Sequence, residues 1–120
     1  MSRALAQGDV VLVQLPFQTP KGREQMGTRP AIVTAVPQPA RYPVALLVPV
    51  TTQDGAWRAK NPQLYPLLGA GVGNLTRESV ALLDQLRATD VTRLQRYIGT
   101  LSVGEYDPIA RGLRAIFDVE

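Results

Sequence analysis

The sequence predicts a single, mostly β domain with one C-terminal helix, spanning residues 1–120. Three observations carry this. Apolar runs stand at Val10 to Leu15, Ala31 to Val36 and Val44 to Thr51, separated by stretches rich in proline, glycine and charge. Ser102-Val-Gly-Glu105 is a capping box, and beyond it Val103, Tyr106, Ile109 or Ala110, Leu113 and Ile116 or Phe117 repeat at helical spacing. The chain has 120 residues and is 45% hydrophobic, enough for one core and no more.

Each element follows in order. Residues 1–7 read as a short arm. Gly8-Asp9 is a turn signal, and Val10 to Leu15 is a buried strand that Pro16 ends. The second strand runs from about Arg29 to Val36. Residues 37–43 hold three prolines, which forbid regular pairing. The third strand, Val44 to Thr51, is almost wholly apolar, so both its faces should be covered. Residues 53–62 are polar and turn-rich. Gln63 to Leu68 reads as an edge strand interrupted by Pro66, and Gly69 to Asn74 as a turn. Glu78 to Leu83 reads as a strand continuing toward Arg87. Asp90 caps a short helical turn to Arg96, and Tyr97 to Leu101 is a last strand. The terminal helix runs to about Phe117, with Pro108 poorly placed inside it.

Composition limits the chemistry. The chain has no cysteine, which removes disulfides, thiolate catalysis and thiolate zinc sites. It has no histidine, the usual acid–base group at neutral pH. Catalysis would rest on carboxylates, arginines, hydroxyls or an outside metal. The net charge of +3 favours an anionic partner weakly. No run is long enough to span a membrane, and the N-terminus lacks a signal-peptide core, so a cytoplasmic protein is expected.

The stretch from Lys21 to Pro30 is the functional candidate. It carries Lys21, Arg23, Glu24 and Arg29 between Gly22, Gly27 and Pro30. Glycines let the loop fold back, and Pro30 holds Arg29 extended at the mouth of a strand. A fixed guanidinium can hold a phosphate diester. Antiparallel pairing of the second and third strands would put Arg29 near Thr51, at one sheet edge. The only tryptophan, Trp57, has Arg58 and Lys60 beside it; it either stacks on a base or plugs a loop.

The chain resembles the MazF/PemK toxins, sequence-specific endoribonucleases of bacterial toxin–antitoxin pairs. The resemblance rests on Gly8-Asp9; on Gly22, Glu24-Gln25, Gly27 and Arg29-Pro30; on Thr51 and Gln53; on Ser79 through Arg87; and on Ile98-Gly-Thr-Leu-Ser102 before the helix. It implies a small SH3-like, CcdB-like barrel, a homodimer, a single-stranded RNA substrate and a MazE-like antitoxin that blocks the groove. It also implies that Arg29 and Thr51 are the catalytic pair. With neither histidine nor cysteine in the chain, and Arg29 placed near Thr51, cleavage is expected to need no metal or other cofactor. Cleavage would use the RNA 2′-hydroxyl and leave a 2′,3′-cyclic phosphate and a 5′-hydroxyl. Arg29 would stabilise phosphorane charge and Thr51 would orient a phosphoryl oxygen. Glu24 is either a base or a salt-bridge partner of Arg29 or Arg23. Lys21, Arg23, Gln25 and Thr52 are RNA-binding candidates. Phe17 and Gln53 either bind bases or serve loop packing and a strand-end cap. Two alternatives stand: a CcdB-like gyrase poison of the same barrel class without RNase activity, and a non-catalytic RNA-binding barrel.

Overall fold

The computed structural model describes residues 4–118. Its seven-stranded sheet is built around β1 (Asp9–Leu15), which pairs antiparallel with β2 (Gly27–Ala35) on one side and β7 (Leu94–Thr100) on the other. Beyond β2 lies β3 (Val44–Thr51), whose far edge is shared by two short strands. β5 (Ser79–Ala81) pairs with its C-terminal end, and β6 (Arg87–Asp90) with its N-terminal half. β4 (Leu67–Leu68) adds to β5 at the outer edge. Register shifts in the β1–β7 pairing bend the sheet. The result is a curled half-barrel with a C-terminal helix, as the sequence led one to expect.

The period-two pattern is written into both core clusters. Val11, Val13 and Leu15 pack with Ala31, Val33, Ala45 and Leu47 on one face. Val10, Ile32, Val48 and Val50 face the other way, toward Tyr106 and Ile109. The near-continuous apolar run of β3 is thereby explained: it is covered on both faces.

The long helix α2 (Val103–Ile116) is capped as expected, Ser102 Oγ accepting from the Glu105 amide and the Glu105 carboxylate from the Ser102 amide. It runs through Pro108 and buries Tyr106, Ile109 and Gly112. Gly112 is fixed by close approach: a Cβ there would run into Leu83 and lie 2.5 Å from the Gln63 carbonyl oxygen. Val103, placed on the apolar stripe by spacing, is 90% exposed.

Several boundaries differ from expectation. β2 begins two residues earlier, at Gly27, because β1 still pairs there: Leu15 faces Gly27. The strand expected over residues 63–68 shrinks to Leu67–Leu68, because the Leu64 and Tyr65 amides turn back onto the Asn61 carbonyl and Pro66 has no donor. The strand expected from Glu78 toward Arg87 is two strands. A 3₁₀ turn at Leu83–Gln85 breaks it and carries the chain from one half of the β3 edge to the other. The Asp90 cap holds, but its 3₁₀ turn ends at Arg93, and β7 starts at Leu94 rather than Tyr97. Residues 56–60, expected as turns, form a short helix, α1 (Ala56–Lys60). Of the N-terminal arm, residues 1–3 lie outside the described residues, and Leu5 packs against the β1 cluster.

Candidate active site

At the end of β3 the sheet edge opens into a groove of about 450 Å³. Thr51 and Gln53 line one side, and Arg23 and Gln25 of the β1–β2 loop face them. The far wall comes from Trp57 of α1, Tyr65, and the Leu82 to Gln85 turn.

Thr51 is the last residue of β3 and half-buried. Its Oγ1 accepts from the Gln53 amide at 3.2 Å, a local turn that engages the hydroxyl as acceptor and leaves its proton for an anion. In the β2–β3 register Ala31 faces Pro49 and Ile32 faces Val48; continued for two residues, it sets Arg29 across from Thr51. Arg29 is the third residue of β2, half-buried, and its Nε donates to the Met26 carbonyl at 2.8 Å. This bond fixes the guanidinium at the loop base and leaves the terminal nitrogens as donors. Arg29 does not itself line the groove.

The loop is clamped from the 83–87 segment. The Gln25 amide donates to Gln85 Oε1 at 3.2 Å, and Arg87 Nη1 donates to the Gln25 carbonyl at 2.9 Å. The Gln25 side-chain Oε1 is buried and has no hydrogen-bond partner among the described residues.

The other expected residues are spread over the loop. Phe17 is 75% exposed at its outer part, and Lys21 and Glu24 are exposed. None of the three lines the groove, and among the described residues Glu24 forms no ion pair with Arg23 or Arg29. The Glu24 carboxylate instead folds back over Gly22. Thr52 follows the strand end, exposed, and is not on the groove wall.

The groove contains a carboxylate that sequence reasoning passed over. Asp84 Oδ2 accepts from Tyr65 Oη at 2.7 Å. That hydrogen bond, with burial and the carboxylate charge adding to it, pushes the Tyr65 phenol above its ordinary value. Glu24 is therefore not the sole nearby carboxylate. Trp57 packs edge-to-face on Tyr65, with ring centroids 4.9 Å apart, and is 39% exposed. It forms groove wall rather than a plug beneath a loop. Arg58 beside it is spoken for: its Nε sits 2.7 Å from Asp54 Oδ1. That bond holds the Asp54 carboxyl below its usual range. The only sequence signal for this wall was a lone tryptophan among cations, because Tyr65 and Asp84 meet through long-range pairing, the β4–β5 ladder and the Ala81 and Leu83 amides on the Pro66 and Leu64 carbonyls.

A family model described as PemK-like, MazF-like toxin of type II toxin-antitoxin system matches residues 6–117. Among solved structures, MazF-mt6 toxin of Mycobacterium tuberculosis is similar at TM-score 0.67 and 21% identity, covering 93% of this chain and 98% of that one. A mycobacterial endoribonuclease solved in complex with its cognate antitoxin is similar at TM-score 0.72 and 16% identity, covering 98% of each chain. MazF from Deinococcus radiodurans is similar at TM-score 0.73 and 20% identity, covering 98% of this chain and 100% of that one. At these identities the likeness shows the fold. No curated protein matches the chain.

Proposed function

Because the chain belongs to the PemK-like, MazF-like toxin family of type II toxin–antitoxin systems, we propose that it is an endoribonuclease that cuts single-stranded RNA without a metal. The supporting observation is the groove at the end of β3, where Thr51 and Gln53 face Arg23 and Gln25 and the strand register carries Arg29 to the same edge.

The chemistry follows from the groups present. The RNA 2′-hydroxyl attacks the adjacent phosphorus, the 5′-oxygen leaves, and the phosphorane between them carries extra negative charge. Arg29, anchored through Nε, offers its terminal N–H fork to the phosphoryl oxygens. A guanidinium pKa above about 12 makes it a poor proton donor, so its role is electrostatic first. The Thr51 proton orients a phosphoryl oxygen. Glu24 takes the 2′-hydroxyl proton once RNA draws the loop inward, and solvent water protonates the departing 5′-oxygen. Arg23, Lys21 and Gln25 bind the backbone, and Phe17, Thr52 and Gln53 contact bases or ribose. Products are a 2′,3′-cyclic phosphate and a 5′-hydroxyl.

The partners follow from the same surface. α2 leaves Val103, Ile116 and Phe117 exposed, apolar area of the kind a second subunit covers in a homodimer. A MazE-like antitoxin with an acidic segment would fill the groove and exclude RNA, acting in the cytoplasm.

Cleavage in EDTA tests the reading. Purified protein should cut single-stranded RNA there and leave DNA intact. Loss of cutting on chelation, restored by magnesium, overturns it.

A further inference from the structure

A carboxylate in a groove that must take up polyphosphate is electrostatically misplaced unless it meets hydrogen-bond donors on the ligand. Asp84 is such a group. Its Oδ2 is held by Tyr65 Oη, and its Oδ1 accepts nothing among the described residues. Beside Asp84 on the groove lining stands an aromatic wall, Trp57 braced edge-to-face by Tyr65 and packed over Gly55. An aromatic face with an acceptor beside it takes a base that brings donors.

We propose that Trp57, Tyr65 and Asp84 form a base-reading subsite selective for guanine. The inference rests on the groove binding RNA, as proposed above. Guanine is the base whose pairing edge carries two donors side by side, N1–H and the N2 amine, and these match the two oxygens of a carboxylate. Adenine and cytosine offer one donor beside an acceptor. Uracil offers one donor between two acceptors. Each of those places an acceptor against the Asp84 carboxylate. The Tyr65 hydrogen bond fixes the carboxylate plane, and Trp57 stacks the base that the carboxylate reads. Asp84 and Trp57 are then specificity residues, acting away from the scissile phosphate, and Tyr65 is a positioning residue.

Trp57 is the only tryptophan, so its fluorescence reports this wall directly. Short 2′-O-methyl oligonucleotides, which bind without being cut, are titrated with guanine, inosine, adenine, cytosine or uracil at each position in turn. Guanine at one position should quench Trp57 and bind most tightly. Inosine there, lacking only the N2 amine, should bind about tenfold more weakly, the scale of losing half of a bidentate base contact. Asp84→Asn keeps an oxygen for the Tyr65 hydroxyl, so the thermal midpoint should hold while the guanine–inosine difference disappears. Equal affinity for guanine and inosine overturns the proposal, as does tighter binding of another base or no response of Trp57. So does a guanine preference that survives Asp84→Asn. If guanine is selected but the matching unmodified RNA is not cut, the subsite stands and the endoribonuclease reading fails.

Discussion

Arg87 is half-buried, distant in sequence from the loop, and ties it down with one bond, Nη1 to the Gln25 carbonyl at 2.9 Å. Replacing it by methionine keeps the aliphatic stem and removes the charged donor. A hydrogen bond from a charged group contributes about 1.5–3 kcal/mol, and the lower figure suits a half-exposed pair. The second clamp, the Gln25 amide on Gln85 Oε1, is neutral and contributes roughly 1 kcal/mol. Losing about 1.5 kcal/mol raises the population of the open loop roughly tenfold. The Gln25 amide is the reporter, since it is protected only while the clamp is closed. Its hydrogen-exchange protection should fall about tenfold in Arg87→Met, while amides of β1 and β3 keep theirs. RNA cleavage should fall by a similar factor, because Arg23, Gln25 and the Met26 anchor of Arg29 all ride on this loop. Unchanged protection at Gln25, or a loss spread evenly across the sheet, would refute the clamp.

Three further outcomes are expected. Arg29→Ala should keep its fold by circular dichroism and lose about 10² in cleavage rate, the usual scale for removing one donor to a developing oxyanion; wild-type activity removes Arg29 from the mechanism. Gly112→Val should lower stability by about 1–3 kcal/mol in urea unfolding, since no Cβ fits between α2 and the Gln63 carbonyl, and a neutral result would mean that α2 is free to shift. Tyr65 holds its proton more tightly folded than unfolded, so its contribution is complete below the unfolded value near about 10 and is lost as pH rises through the folded value. Tyr65→Phe should therefore flatten the loss of thermal stability above about pH 10, and an identical pH profile would contradict the Asp84 bond.

The fold was most legible where one face pattern ran without interruption. β1 and β3 match the expected runs almost residue for residue, because alternate side chains enter two separate apolar clusters and a slip of one residue would exchange them. The Ser102 cap was legible because its chemistry is local. The break at Leu83–Gln85 was not: Glu78 through Leu83 and on toward Arg87 reads as one strand, and the turn exists because two strands share the edge of β3. The same distinction holds at the site. Thr51 could be placed at the mouth of the basic loop from strand pairing alone, and Arg23 and Gln25 do line the groove with it. Glu24, Lys21 and Phe17 fell short of it, since a loop's composition does not say which way it folds back. Tyr65, Asp84 and the Arg87 clamp depend on contacts across 19 and 62 residues, which no local pattern encodes.

The proposed nucleophile is the RNA's own 2′-hydroxyl, with Thr51 and Arg29 holding the phosphoryl oxygens. One RNA with a defined cut site, prepared with and without a single 2′-deoxy substitution at the nucleotide 5′ to the cut, tests it most directly. The unsubstituted RNA should yield a 2′,3′-cyclic phosphate in EDTA. The substituted RNA should bind with similar affinity and remain intact. Cleavage of the 2′-deoxy substrate, or a product ending in a 3′-hydroxyl with a 5′-phosphate on the other fragment, would contradict the mechanism.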